Sequence, residues 1–572
     1  MRLLTVDTGK ARQLFWSIAA IAVVVGALTI RQTDPVLVAA AILVMVIGLA
    51  PFYLWLLGMR EGLPIWPAFS LYACTLAAMP ALQKAQALER FPDSAILQSL
   101  LTMAGFFLVG SLIWYSLTAR SGKAPRKILM LESDTAVRSL LWCIAAGVFF
   151  QVNSLTGWFQ LPGNTMQIAR GVSGGLSFLG IFAMAYFHGR GMLSGAQIAT
   201  YILLTIALLL TALSSLLIAN IVQPLALGAI GYTLGAGRPP WAAAVGLFAI
   251  VAILHSGKYS MRDIYLTNPD GAPRITLTSL PSFYSQWVSF GVTELGGIGG
   301  VFRSEVRDDS PTTVFERSGN LHMLVLVQHL SPAQVPFQGG ITYEPIPQML
   351  IPRFLMPNKA ISHAGNIMLS INYGLSDEDS IRNVSIGWPL IAEAYANFGY
   401  IGVFAMSILL STGYAFATRL SSQVPITSFR FVVGLVIMAG ITNENTLGVF
   451  IGSQFQAIVG VAMASFFLMR RRPNPFYVGS GEASGIRQEA DGVRQRDTAA
   501  APATGPAKWG GHKPPKWAPL SHRKAFELAA ARREAEAAAG ENEEKSETGE
   551  KVARPRQVAV PIQPYYYRSR KA

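Results

Sequence analysis

A single carboxylate, Glu393, stands in the otherwise uncharged run from Ile386 to Ala417. A carboxylate in so apolar a stretch is expensive unless it is paired or faces a polar cavity, so its presence points to function. It is the kind of group that takes a proton from a hydroxyl in general base catalysis. The segment FERSGNLHMLVLVQHL (315–330) offers a second candidate. It reads as an amphipathic helix with Arg317 near its start and His322 and His329 one heptad apart. Without a nearby cysteine or carboxylate cluster this pair does not make a metal site. Because histidine titrates near neutral pH, His322 stays beside Glu393 as a possible base.

Cations gather ahead of the carboxylate. The segment YEPIPQMLIPRFLMPNKA (343–360) holds four prolines, Arg353 and Lys359. Proline fixes φ and removes an amide donor, so a stiff, non-helical strap is expected here. In HSGKYSMRD (255–263), Lys258 and Arg262 are four residues apart and share a face if the segment is helical. Arginine forks and ammonium groups suit phosphate-like anions. For Lys258 and Arg262, ordinary snorkelling at a membrane surface is an equal reading.

The elements that must position these groups are membrane helices. The chain has 572 residues, 51% of them apolar, and a mean hydropathy of +0.38. Apolar runs near 14–30, 36–57, 64–82, 95–118, 139–157, 172–188, 196–219, 221–237, 241–254, 398–418, 430–445 and 447–469 predict an all-α polytopic membrane protein of about 12 spans. The first run lacks a small-residue cleavage site and reads as a retained helix rather than a signal peptide. Cys74 and Cys143 both lie inside apolar runs and read as packing residues.

Charge orients the bundle. With the N-terminus inside, sixteen basic residues fall in cytoplasmic segments, among them Arg60, Arg126, Arg138, Arg190, Arg419 and Arg470–Arg472. The short external loops hold four: Arg31, Lys84, Arg90 and Arg170. The positive-inside rule favours this orientation, with both termini cytoplasmic. It divides the chain into an N-terminal bundle of about nine helices (1–254), a large periplasmic loop with interfacial helices (255–397), C-terminal spans (398–472) and a tail (473–572). Residues 255–386 carry nine basic and eleven acidic residues. In SLPSFYSQWVSFGV (279–292), Tyr284 and Trp287 are expected at headgroup level. The tail is rich in charge, Gly, Ala and Pro, and is expected to be disordered apart from a solitary helix at 522–540.

The order of the segments GKYSMR (257–262), ERSGN (316–320), GGITYEP (339–345), IPRFLMPNKA (351–360) and EAYANFGYIG (393–402) resembles the Wzy-type polymerases of O-antigen and other oligosaccharide repeat units. The resemblance covers about 255–405 together with the hydropathy of the membrane part; the tail has no counterpart in it. It implies a polytopic, glycosyltransferase-C-like enzyme of the bacterial inner membrane, working in exopolysaccharide or O-antigen biosynthesis. Such an enzyme transfers a growing chain from one undecaprenyl-diphosphate carrier onto the non-reducing end of another lipid-linked unit. The donor already carries a good leaving group, so no cofactor is implied.

On that resemblance Lys258, Arg262, Arg317, Arg353 and Lys359 hold the diphosphate, and Glu393 or His322 is the base. The implied partners are the lipid-linked donor and acceptor, the bilayer and, through the tail, a chain-length regulator or other assembly proteins; nucleic acid is not among them. An O-antigen ligase-like transferase shares the loop and the donor and differs in its acceptor. A transporter or flippase would place ionisable residues at mid-span in two repeated halves, and no repeat is visible.

Overall fold

The computed structural model describes Trp16 and residues 30–477, apart from 120–123, 161–162, 266–272, 274, 296–319, 352–354, 357, 359, 362, 378–385 and 442–444. The expected first span, apart from Trp16 and Ile30, and the tail beyond Tyr477 lie outside the described residues. So do Arg317, Arg353 and Lys359. The chain divides into Met1–Ser480 and Gly481–Ala572, and only the first unit contains described residues.

The apolar runs fold as helices α1 (Pro35–Leu56), α2 (Ile65–Leu82), α3 (Asp93–Leu117), α4 (Ser133–Thr156), α5 (Gly163–Gly189), α6 (Gly195–Leu213), α7 (Ala219–Ala236) and α8 (Trp241–Ser256). The middle of the chain adds α9 (Lys258–Tyr265), α10 (Leu280–Leu295), α11 (Asn320–Leu330), α12 (Ile346–Leu350) and α13 (Ala364–Asn372). It closes with α14 (Leu390–Leu420), α15 (Phe429–Ala439) and α16 (Leu447–Leu468). Among the described residues eight helices are long and apolar enough to cross a membrane: α1 to α6, α14 and α16. The protein is thus a helical, polytopic membrane protein. Helices α8 and α15 are apolar but shorter.

Boundaries differ from the hydropathy reading where polar residues join a helix. Helix α4 begins at Ser133 and α14 at Leu390, both ahead of the apolar runs. The run 196–219 ends early, at Leu213. There the Ser214 and Ser215 hydroxyls turn back onto the carbonyls of Thr211 and Ala212, and Leu216 adopts a φ of 56°.

Helices pack through small residues, as lipid-embedded helices do. A Cβ on Gly48 would lie 2.3 Å from the Cβ of Cys74, where α1 meets α2. Gly175 and Gly460 let α5 and α16 touch backbone to backbone. Between α2, α3 and α14 the rings of Trp66, Phe69, Phe106 and Tyr414 form an aromatic core with centroids 5.4–6.4 Å apart. The face of α3 that includes Leu101, Leu108 and Leu112 is exposed, which is what a lipid-facing surface requires.

One end of the bundle is basic. Strand β1 (Lys127–Met130) pairs antiparallel with β2 (Arg470–Pro473), aligning Leu129 with Arg471, and Arg472 pairs with Glu132. At this same end the Arg60 guanidinium sits 3.6 Å over the Tyr115 ring, and Leu63 N–H donates to Ser421 Oγ. The basic loops assigned to one side of the membrane therefore meet at one end. The chain after Arg472 is still part of the unit: Asn474 is buried and its N–H donates to the Arg126 carbonyl.

Two expectations for the middle of the chain are corrected. Helix α11 is not amphipathic; Leu321, Leu324, Val325 and Val327 are buried and it packs on α3 and α14. Trp287 is not interfacial: it is fully buried and its indole N–H donates to the Leu254 carbonyl, 2.7 Å away. A helix buried along most of its length has no use for a broad polar face.

Candidate functional site

Glu393 lies in a half-helix. Trp388 leads into α14, fully buried, with its indole N–H donating to Ser370 Oγ at 2.9 Å. Leu390 to Asn397 are all buried. The helix then breaks at Phe398 and Gly399, where φ is 61° and ψ is −144°, a region that only glycine enters readily. The break frees two carbonyls. Those of Ala396 and Asn397 accept from Gln338 N–H and Gly339 N–H, at 2.9 and 3.1 Å.

Asn397 completes the seam. Its Oδ1 accepts from Gly340 N–H at 3.0 Å, and its Nδ2 donates to Thr342 Oγ1 and to the Glu393 carbonyl, each at 2.8 Å. Two of the segments singled out in the sequence, GGITYEP and EAYANFGYIG, are thereby joined by hydrogen bonds. The stiff segment expected to be non-helical over 343–360 is helical at Ile346–Leu350. The GGITYEP segment contains a 3-10 turn, Ile341–Tyr343, and leads into this short helix, α12.

The Glu393 side chain is 0% exposed. Its Oε2 accepts from Leu447 N–H at 2.6 Å, at the N-terminus of α16. Thr446 is the N-cap there but gives no side-chain cap, so the carboxylate of a different helix satisfies one of the orphan amides. The positive end of the helix dipole favours a carboxylate at this place. The other oxygen, Oε1, has no hydrogen-bond partner among the described residues; neither do the buried Tyr343 Oη and Thr446 Oγ1. Burial, and then the Glu393 carboxylate, push the Tyr343 phenol well above its ordinary range. Gly365 keeps the space open: a Cβ there would come within 3.5 Å of Glu393 Oε1 and 3.1 Å of the Thr342 carbonyl. Buried polar atoms are normally satisfied, so Glu393 Oε1 and the hydroxyls of Tyr343 and Thr446 keep hydrogen-bonding capacity that the described residues do not use.

The remaining candidates are not all here. Lys258 and Arg262 lie on α9, which packs on α8 and α10 in a second apolar cluster with Met261, Phe283 and Trp287, apart from the core that surrounds Glu393. His322 is half-buried on α11, and His329 is exposed, edge-on to Phe91 with centroids 5.8 Å apart. The break in α14 is at the end opposite the basic loops, since Tyr400 meets Gln98 in the second turn of α3. Sequence reading missed Thr342, Tyr343, Asn397 and Thr446. Asn397 had a signal, being a second buried polar residue one helical turn after Glu393 in the same uncharged run.

Comparison with family models, with curated proteins and with solved structures gave no match.

Proposed function

We propose that this protein is a membrane glycosyltransferase that polymerises undecaprenyl-diphosphate-linked oligosaccharide units. The observation that carries the reading is the Glu393 carboxylate, anchored by Oε2 to the start of α16 while Oε1 has no hydrogen-bond partner in the geometry of the described residues. A general base needs one anchored oxygen for orientation and one open oxygen for the proton. The order of the loop segments supplies the substrate class.

In the proposed reaction an acceptor hydroxyl at the non-reducing end of a lipid-linked unit gives its proton to Glu393 Oε1. Its oxygen bonds to the anomeric carbon of the donor chain. The bond from that carbon to the carrier breaks, and its electron pair leaves on the undecaprenyl diphosphate. Arg317, Arg353 and Lys359 are assigned to neutralise that diphosphate, because fixed cations act where charge develops. Lys258 and Arg262, on their own helix cluster, are assigned to the approach of the lipid-linked substrate. Glu393 takes the role of base ahead of His322 because its other oxygen is held by the Leu447 amide at the start of α16, which fixes the orientation of Oε1.

The site's position supports an enzyme over a transporter. The half-helix and its carboxylate lie toward the end opposite the basic loops. By the positive-inside rule the basic end belongs in the cytoplasm of a bacterial inner membrane, which puts the site near the outer surface, where exported lipid-linked sugars lie. Ligase-like transfer onto a different acceptor uses the same donor chemistry. Deleting the gene and analysing lipid-linked glycans distinguishes the two. Accumulation of single repeat units supports polymerisation, whereas long lipid-linked chains that fail to be transferred support the ligase.

A further inference from the structure

A sizeable cavity lies away from Glu393. It has a volume of about 710 Å³ and lies among α4, α5, α6 and α7. Its walls come from the last turns of α4, the first half of α5, the turn after α6 and the first turns of α7. All four meet at the end away from β1 and β2. Gln151, Ser154, Arg170, Ser173, Asn220 and Gln223 give it a polar upper wall, and Phe178, Ile181, Leu208 and Leu227 an apolar floor.

Helix α5 is built to keep this space open. Gly171 and Gly175 press it against α16, while a Cβ on Gly174 would meet nothing within 4 Å. Pro224, inside α7, has no N–H for the Asn220 carbonyl one turn earlier, which adds an acceptor near the mouth. Arg170 is the single charged residue in the lining, and no described acidic side chain pairs with it. Leu217, at the mouth, is 46% exposed and continues the apolar surface outward.

From this arrangement we infer that the cavity binds the headgroup of a phosphorylated amphiphile, with the phosphate on Arg170 and the hydrocarbon along the apolar mouth. Hydroxyl and amide side chains suit the ester and polyol oxygens of such a headgroup, and a volume in this range is that of a small-molecule site. A guanidinium without a carboxylate partner, beside an apolar surface, selects an anion that is also hydrophobic. The inference does not depend on the polymerase reading, since it uses neither Glu393 nor the external loop segments.

The test uses full-length protein in dodecyl maltoside micelles, which carry no phosphate, titrated with dioctanoyl phosphatidic acid and, in parallel, with dioctanoylglycerol and with inorganic phosphate. Saturable binding of the phosphatidic acid is expected, weakened by about tenfold or more in Arg170→Gln. Gly174→Leu should weaken it similarly by filling the cavity, and the open space at this position lets that variant fold. Equal binding in the wild type and both variants would overturn the inference, as would equal binding of the phosphate-free lipid. Inorganic phosphate binding as tightly as the phosphatidic acid would assign the cavity to a soluble anion and overturn the lipid assignment.

Discussion

Glu393 and Leu447 tie the broken helix to the last one: the carboxylate Oε2 accepts from the Leu447 amide at 2.6 Å, across 54 residues of chain. The contact fixes where the open oxygen points. It also makes the residue structural and chemical at once, so the tests below separate the two contributions.

Asn397 holds the seam beside it. Asn397→Ala removes the acceptor for Gly340 N–H, in a part-buried setting, and the donor to Thr342 Oγ1, in a buried one. An unsatisfied buried group costs about 1–3 kcal/mol. Thermal unfolding followed by tryptophan fluorescence should show a clear drop in Tm. Asn372→Ala, which loses one exposed bond to Gln338, should change stability by no more than about 0.5 kcal/mol. Equal effects of the two would mean that the seam contributes nothing.

Gly399 makes the break in α14. At a φ of 61° and ψ of −144°, Gly399→Ala should destabilise by about 1–3 kcal/mol and lower activity. Gly413→Ala, in the same helix with open space around it, should be neutral or gain about 0.5–1 kcal/mol. A tolerated alanine at 399 would show that the helix can run straight.

The two cytoplasmic assignments around β1 and β2 can be checked together. Reporters at Arg126 and Arg471 should read the same side of the membrane, because these segments pair in one sheet. A reporter near Asp308 should read the opposite side. Truncation after Ser480 should preserve accumulation and transfer. Truncation after Arg472 should reduce accumulation, since it removes the Asn474 bonds to the Arg126 and Gln423 carbonyls. An unaffected protein after the shorter cut would contradict the packing described for residues 473–477.

The sequence made the membrane helices legible because hydrophobic length alone specifies a span. It also placed a boundary between Asn397 and Phe398, where the structure breaks α14. By hydropathy the half-helix before that break belongs to the loop, because Glu393 and Asn397 interrupt the apolar pattern. Their burial depends on partners more than 50 residues away, Gly340, Thr342 and Leu447, which no local window contains. The same limit explains Trp287: an aromatic residue in a short amphipathic run has the composition of an interfacial anchor until α8 is packed against it. Charge alone places Lys258 and Arg262 with the other cations, whereas packing puts their helix in a separate cluster.

Arg353 carries the proposed diphosphate contact. Arg353→Ala should lower transfer by roughly 10²–10³, the usual loss when one donor to developing negative charge is removed. Arg353→Lys should recover part of this, since a point charge cannot reproduce the bidentate fork. Near-normal turnover of purified Arg353→Ala would remove the residue from the site.

Glu393→Gln tests the central claim most directly. Glutamine can still accept from Leu447 N–H through its carbonyl oxygen, so the variant should accumulate and unfold close to the wild type. It has no basic oxygen, so transfer of lipid-linked glycan by the purified protein should fall by roughly 10²–10⁴, the usual contribution of a general base. Glu393→Ala should lose stability as well, because it leaves the Leu447 amide buried and unpaired. If Glu393→Gln is stable and transfers glycan at the wild-type rate, Glu393 is a helix cap and not the base, and the account of the site is wrong.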